Sequence, residues 1–182
     1  MGIFDIFRRK KDESYYHGEK EIISQHKFST IEEIIEFMFQ NQSELNIILY
    51  NKASDEEVEL FEQSKIHLPD DIKQFYKFCN GFYSNEDMFR IIPLNEIIDN
   101  GDDEYLKNKT SFHIGEYMIY CDLWTIDINP NNKNDYIIYQ NTGERIIILT
   151  KSFVEFLECY INRGVYEGLY NWAEIKKPKS GL

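Results

Sequence analysis

The chain has 182 residues, a formal net charge of −12, 42% apolar residues and 15% aromatics. That length accommodates one domain with a real core, and that composition excludes a disordered chain. The first eleven residues set Arg8, Arg9, Lys10 and Lys11 against Asp5 alone, so the acidic excess lies in the remainder, whose field repels nucleic acid and attracts basic partners.

Cys79, Cys121 and Cys159 form no C-x-x-C pair and fall in apolar segments, so reduced, buried thiols are expected. No apolar run approaches the roughly 18 residues of a membrane span. The N-terminus also lacks a secretory signal's long apolar segment and cleavage site, so the expected compartment is the cytoplasm.

Residues 1–20 read as an N-terminal arm and linker, 21–175 as the domain and 176–182 as a tail. In the arm, Ile3, Phe4, Ile6 and Phe7 precede the basic cluster. Ile3 to Lys11 is either a short amphipathic contact for an anionic membrane or a docked or frayed terminus. At about 1 kcal/mol per basic residue, the membrane contact would be weak and reversible. Ile6 stands where a myristoylation signal needs Ser or Thr.

Thr30-Ile31-Glu32-Glu33 is a capping box, with Ser29 and Glu32 as an overlapping alternative. The helix it opens carries Ile31, Ile34, Ile35 and Met38 on one stripe, widened by Phe37 and Phe39, and ends near Gln42. Asn46 to Tyr50 is a strand or an extended connector. Ser54 and Glu57 form a second capping box, opening a helix that buries Val58, Leu60 and Phe61 beneath a face of acids.

Leu68 to Gly81, LPDDIKQFYKFCNG, has the firmest boundaries. Pro69 suits a first helical position, and Asp70 and Asp71 favour the positive end of the helix dipole. Ile72, Phe75, Tyr76 and Cys79 recur at i, i+3, i+4 and i+7, and Asn80-Gly81 provides a left-handed stop.

Beyond Gly81 the period changes to 2. Met88 to Ile92 reads as a strand closed by Pro93, Leu94 to Ile98 as a helical turn, and Asp99 to Glu104 as an acidic loop without EF-hand spacing. Tyr117 to Ile128 reads as a strand with Trp124, Ile126 and Ile128 on one face and Thr125 and Asp127 on the other. Asn129-Pro130-Asn131-Asn132 is a turn. Strands at Asp135 to Tyr139 and Arg145 to Leu149 flank a hairpin loop at Asn141-Thr142-Gly143. Ser152 and Glu155 form a third capping box, opening a helix that buries Phe153, Phe156, Leu157, Tyr160 and Ile161 and stops at Gly164. Tyr166 to Trp172 packs back on the body. Helices followed by antiparallel strands and a closing helix give an α+β class, with a central, mostly antiparallel sheet flanked by helices.

No G-x-S-x-G, Walker A, G-x-G-x-x-G or H-E-x-x-H occurs. His17, His26, His67 and His113 stand singly, without metal-ligand spacing. Asp122 and Asp127, five apart on one strand, point to opposite faces and cannot form a carboxylate pair unless a bulge intervenes. No catalytic residue, metal or cofactor is therefore assigned. What remains is an acidic, tyrosine-rich surface suited to Lys- and Arg-rich partners. Its candidate contacts are Glu86, Asp87, Asp102, Asp103, Glu104, Asp127 and Asp135.

Three segments resemble the SUKH superfamily, which includes cell-wall assembly regulators. Leu68, Pro69, Asp70, Phe75, Asn80 and Gly81 fit its L-P…F…N-G helix, preceded by an acidic helix at Ser54 to Phe61. Asp122, Trp124 and Asp127 match its G-D-x-aromatic-x-aliphatic-D strand, although Tyr120 and Cys121 stand where many members have glycines. Ser152, Phe153 and Phe156 match its S-F-x-x-F-L closing helix. The three lie in the family's order between Tyr50 and Ile161.

The resemblance implies an α+β domain with a binding role and no common catalytic residues. Bacterial members resemble immunity proteins that neutralise toxins, often nucleases, and eukaryotic members act as scaffolds. The expected function is thus a non-catalytic immunity protein that binds a basic toxin and does not bind nucleic acid directly. The alternative is a membrane-peripheral adaptor that uses Ile3 to Lys11.

Overall fold

The computed structural model describes residues 25–99, 106 and 109–176. The arm, the linker, the loop acids Asp102, Asp103 and Glu104, and the tail beyond Lys176 lie outside them.

Seven strands form one antiparallel meander in the order β1-β2-β3-β4-β5-β6-β7. They are β1 (Ile47–Leu49), β2 (Phe82–Ser84), β3 (Phe89–Ile91), β4 (Ser111–Tyr117), β5 (Asp122–Ile128), β6 (Tyr136–Asn141) and β7 (Ile146–Thr150). Register places Phe82 opposite Ile91, Gly115 opposite Trp124 and Ile126 opposite Ile138. Because side chains alternate, one face collects the bulky apolar residues. Ile48 and Ile148 project from the other face, where they are 51% and 59% exposed.

The helices are α1 (Ile31–Gln40), α2 (Gln42–Leu45), α3 (Asp55–Ser64), α4 (Asp70–Phe78), α5 (Leu94–Asp99), α6 (Phe153–Arg163) and α7 (Trp172–Ile175), with a π-helical turn at Val165–Tyr170. Capping boxes open α1 at Thr30 and α3 at Ser54. Ser152 caps α6 by accepting from the Glu155 N–H, but that start is not a capping box. Glu155 reaches Thr150 and Lys176 instead, and the Ser152 N–H donates to Thr150 Oγ1 at 3.1 Å.

Aromatic contacts join the helices to the sheet. Phe61 of α3 meets Phe112 edge-on at 5.0 Å, and Tyr160 of α6 meets Phe82 at 5.6 Å and Phe89 at 4.5 Å. The three segments of the SUKH resemblance converge here. Phe75 of α4 packs edge-on against Phe153 of α6 at 5.2 Å, and Trp124 lies 6.5 Å from Phe156. Leu68, Phe75, Trp124, Phe153 and Phe156 are all fully buried.

The remaining motif residues fasten elements to one another. Asp70 accepts from Lys133 Nζ at 2.6 Å and Asn134 Nδ2 at 2.8 Å, tying the start of α4 to the β5–β6 turn. The Tyr136 hydroxyl donates to Asp71 at 2.5 Å and accepts the Phe153 N–H at 2.8 Å, so it bridges α4 and α6.

Several boundaries differ from the sequence reading. Pro69 is the N-cap of α4, and the helix ends at Phe78 with Cys79 extended, so Asn80-Gly81 lies beyond its stop. Asn80 Oδ1 instead accepts the Leu94 N–H at 2.9 Å, at the first residue of α5. Gly81, at φ +94°, lets the backbone approach the Ile91 carbonyl, which a Cβ would strike. The first helix ends at Gln40, before α2. Phe39 on α1 and Leu60 on α3 turn outward, because one helix face cannot hold side chains two positions apart as well as the i, i+3 pairs. β2 was not expected, since its three residues carry too little periodicity. Cys79 is buried and Cys159 half-buried, but Cys121 is exposed because it sits in a turn.

Candidate interaction surface

Strand polarity divides the candidate acids between the two ends of the sheet. Glu86 and Asp87 lie in the β2–β3 turn, at the end that also carries the β4–β5 turn. Asp127 and Asp135 lie at the opposite end. They line an open depression of about 690 Å³ together with Lys109 and Lys151, whose charges offset theirs. Asp127 Oδ1 accepts from Thr110 at 2.5 Å and Ser111 at 2.9 Å. Asp122 projects to the helix-covered face, where it accepts from the Tyr170 hydroxyl at 2.7 Å. Asp122 and Asp127 therefore form no carboxylate pair. Among the described residues, no group of His, Cys, Asp and Glu is placed to hold a metal ion.

The β4–β5 turn carries three consecutive non-glycine residues at positive φ. The strand expected over 117–128 is instead β5 alone, preceded by the turn Met118-Ile119-Tyr120-Cys121 and by Tyr117 at the end of β4. Met118, Ile119 and Tyr120 adopt φ +50°, +54° and +62°, and Met88 in the adjoining turn adopts +55°. None is Gly, Asn or Asp, the residues that enter this region readily. The Met118 N–H donates to the Met88 carbonyl at 3.4 Å, and the Cys121 N–H to the Tyr117 carbonyl at 3.2 Å. Ile119 is 84% exposed, and Met88, Met118 and Tyr120 are 39%, 43% and 37% exposed. The two turns together form an apolar tip.

A charged network holds one side of the tip. Tyr120 donates its hydroxyl to Glu96 of α5, and the Arg90 guanidinium lies 5.7 Å from the centre of the Tyr120 ring. Arg90 also pairs with both Glu96 and Glu116. Burial works to raise the Glu96 carboxyl, but hydrogen bonds from Arg90 and Tyr120 and the Arg90 charge outweigh it and hold it below the usual range. One positive charge faces two carboxylates, so the network is acidic on balance. Glu116 is almost fully buried, and its Oε2 has no hydrogen-bond partner among the described residues.

The other side of the tip is aromatic and acidic. The Tyr117 and Tyr166 hydroxyls bond to each other, and their rings meet edge-on at 5.8 Å. The Tyr166 contact and burial push the Tyr117 phenol up to about 12, so it stays protonated at neutral pH. Asp87 Oδ1 accepts the Phe89 N–H at 3.2 Å, spanning Met88, and the Tyr160 hydroxyl at 3.4 Å. Glu86, next to Asp87 in the chain, and Glu167, next to Tyr166, are exposed.

Of the candidate contacts, then, the structure brings Glu86 and Asp87 to this tip and leaves Asp127 and Asp135 at the far end. Nothing in the sequence singles out Met88, Met118 or Ile119.

No helix among the described residues is long and apolar enough to cross a membrane. A search of curated proteins finds no match. The profile of the SMI1 / KNR4 family (SUKH-1) matches residues 52–159, a span that runs from α3 through most of α6 and contains the whole tip. With more than half of its length matched, and with the matched motifs meeting in one core, the chain belongs to the SMI1 / KNR4 family (SUKH-1).

Proposed function

We propose that this chain is a non-catalytic protein-binding domain, an immunity protein that neutralises a basic, nuclease-type toxin of a bacterial polymorphic toxin system by occluding its active site. Family membership carries the reading. The net charge of −12 supports it, because opposite fields accelerate encounter and suppress wrong partners. So does an exposed apolar tip beside acids, since apolar anchors within a polar rim make effective contacts.

The test is titration of the chain against the purified toxin encoded beside it, together with growth of cells expressing both. Tight binding that weakens with salt, and rescued growth, are expected. Equal growth loss with and without this protein would refute the reading.

A second reading, a membrane-peripheral adaptor, rests on the apolar and basic residues of Ile3 to Lys11. Flotation with anionic liposomes tests it, and equal flotation after deletion of residues 1–11 would count against it.

A further inference from the structure

The geometry points to the left-handed β4–β5 turn as the element that enters the toxin, with Ile119 as its leading side chain and an apolar socket rimmed by Lys or Arg as its receptor. This assignment rests on the immunity reading and adds the surface that reading leaves open.

Ile119 does little for its own fold. A β-branched residue at φ +54° is strained, because its Cβ crowds the neighbouring carbonyl oxygen. Strain at a core position can be offset by burial, but Ile119 is 84% exposed and returns almost no burial. Met118 and Tyr120 share the conformation, so the strain repeats along the turn. Glycine or asparagine would serve the hairpin better at position 119. Such strain persists only where surrounding contacts over-determine it, and it concentrates at binding sites.

Those surrounding contacts are present. Tyr120 is fixed by its bond to Glu96 and by the guanidinium of Arg90, and the Met118 N–H is held by the Met88 carbonyl. The tip is therefore presented already ordered, so little conformational entropy remains to be lost on binding. Two methionines beside the isoleucine supply polarisable side chains that adapt to a socket.

Charge selects the occupant. Arg90 is held by two carboxylates, and Glu86 and Asp87 stand in the β2–β3 turn beside Met88. A second copy of this chain would bring the same acids against these. A protein with a basic rim is complementary, and a nuclease toxin carries such a rim because its active site must hold phosphates.

The experiment measures the affinity of the neighbouring toxin for the unaltered chain, for Ile119→Asn and for Leu60→Asn, with a thermal melt of each. Asn enters the left-handed region more readily than Ile and adds no charge toward the basic rim, so Ile119→Asn folds and tests the apolar anchor alone. It is expected to bind about a hundredfold more weakly, as the loss of a central apolar anchor does. Leu60, an exposed apolar residue on α3, controls for a general loss of surface hydrophobicity, and Leu60→Asn is expected to bind as the unaltered chain does. Ile119→Asn binding at full strength would overturn the tip assignment and leave the immunity reading standing. Equal weakening by both variants would also overturn the assignment. Failure of the unaltered chain to bind would overturn the immunity reading, and the assignment with it.

Discussion

Replacing Ile119 with glycine should make this protein more stable, an unusual outcome for deleting an aliphatic side chain. The left-handed conformation costs an L-residue with a Cβ about 1–2 kcal/mol, and glycine nothing comparable. Glycine's greater freedom in the unfolded chain returns roughly 0.5–1 kcal/mol of that gain. Burial adds little to the balance, because Ile119 is 84% exposed. At the centres of both ranges the net is a stabilisation of about 0.75 kcal/mol. For a chain of this size that raises Tm by roughly 1–4 °C. Urea unfolding should show a higher midpoint at unchanged slope, since the surface exposed on unfolding hardly changes. Tyr120→Gly should behave oppositely, because it forfeits the Glu96 bond and the Arg90 contact. If Ile119→Gly leaves Tm unchanged or lowers it, the turn is not strained and the argument that Ile119 is kept for a partner fails.

Three further predictions concern the scaffold. Phe75→Ala should destabilise by about 3–5 kcal/mol, since it empties a fully buried site against Phe153, and a near-zero shift in the urea midpoint would show that contact to be unimportant. Asn80→Ala removes the acceptor of the buried Leu94 N–H and should cost about 1–2 kcal/mol, with faster hydrogen exchange at Leu94 as its local sign; unchanged exchange there would remove Asn80 from that role. Acid should destabilise through Glu62 and Glu155. Burial works to raise each carboxyl, but hydrogen bonds from Lys73 and His67 to Glu62, and from Lys176 and Thr150 to Glu155, hold both below 4.5. A depressed folded value gives stability that is complete above the unfolded value and lost as pH falls, so Tm should hold near neutrality and drop below about pH 4.5. Glu62→Gln should make that drop shallower, and an identical pH profile would exclude Glu62 as a contributor.

The parts of this fold legible in the sequence are those where local chemistry and tertiary packing agree. The boxes at Thr30 and Ser54 satisfy the N–H groups of the helices they open, and the Ile72, Phe75, Tyr76 and Cys79 stripe has one side to bury. The apolar motif residues Leu68, Phe75, Trp124, Phe153 and Phe156 were legible for the same reason, because they make the core. Where tertiary contacts decide, local pattern misleads. Glu155 could close a capping box on Ser152, yet Thr150 and Lys176 take its carboxylate. Leu60 is apolar but stands two positions from Val58, off the buried stripe.

The tip was illegible for a sharper reason. Met118-Ile119-Tyr120-Cys121 has the β-branched and aromatic composition of a strand and none of the residues that announce a turn. A site whose residues oppose the local preference of their own backbone is hidden from any reading built on that preference. The acids beside it were visible, but charge alone could not separate Glu86 and Asp87 from Asp127 and Asp135 at the far end.

The bridge at Tyr136 also bears on how the molecule assembles. Each described strand pairs with its sequence neighbour, and the hairpins β2–β3, β4–β5, β5–β6 and β6–β7 close short loops, while β1–β2 encloses α3 and α4. The Tyr136 hydroxyl instead joins Asp71, 65 residues earlier, to the start of α6, 17 residues later. Such distant pairings carry the larger loop-closure entropy and lag behind local ones. Docking of α4 on α6 is then the late event in folding, and Tyr136→Phe should accelerate unfolding while scarcely slowing folding. The part of the molecule that guards kinetic lifetime thus lies at the opposite end of the sheet from the strained tip, so Ile119 can vary without shortening that lifetime.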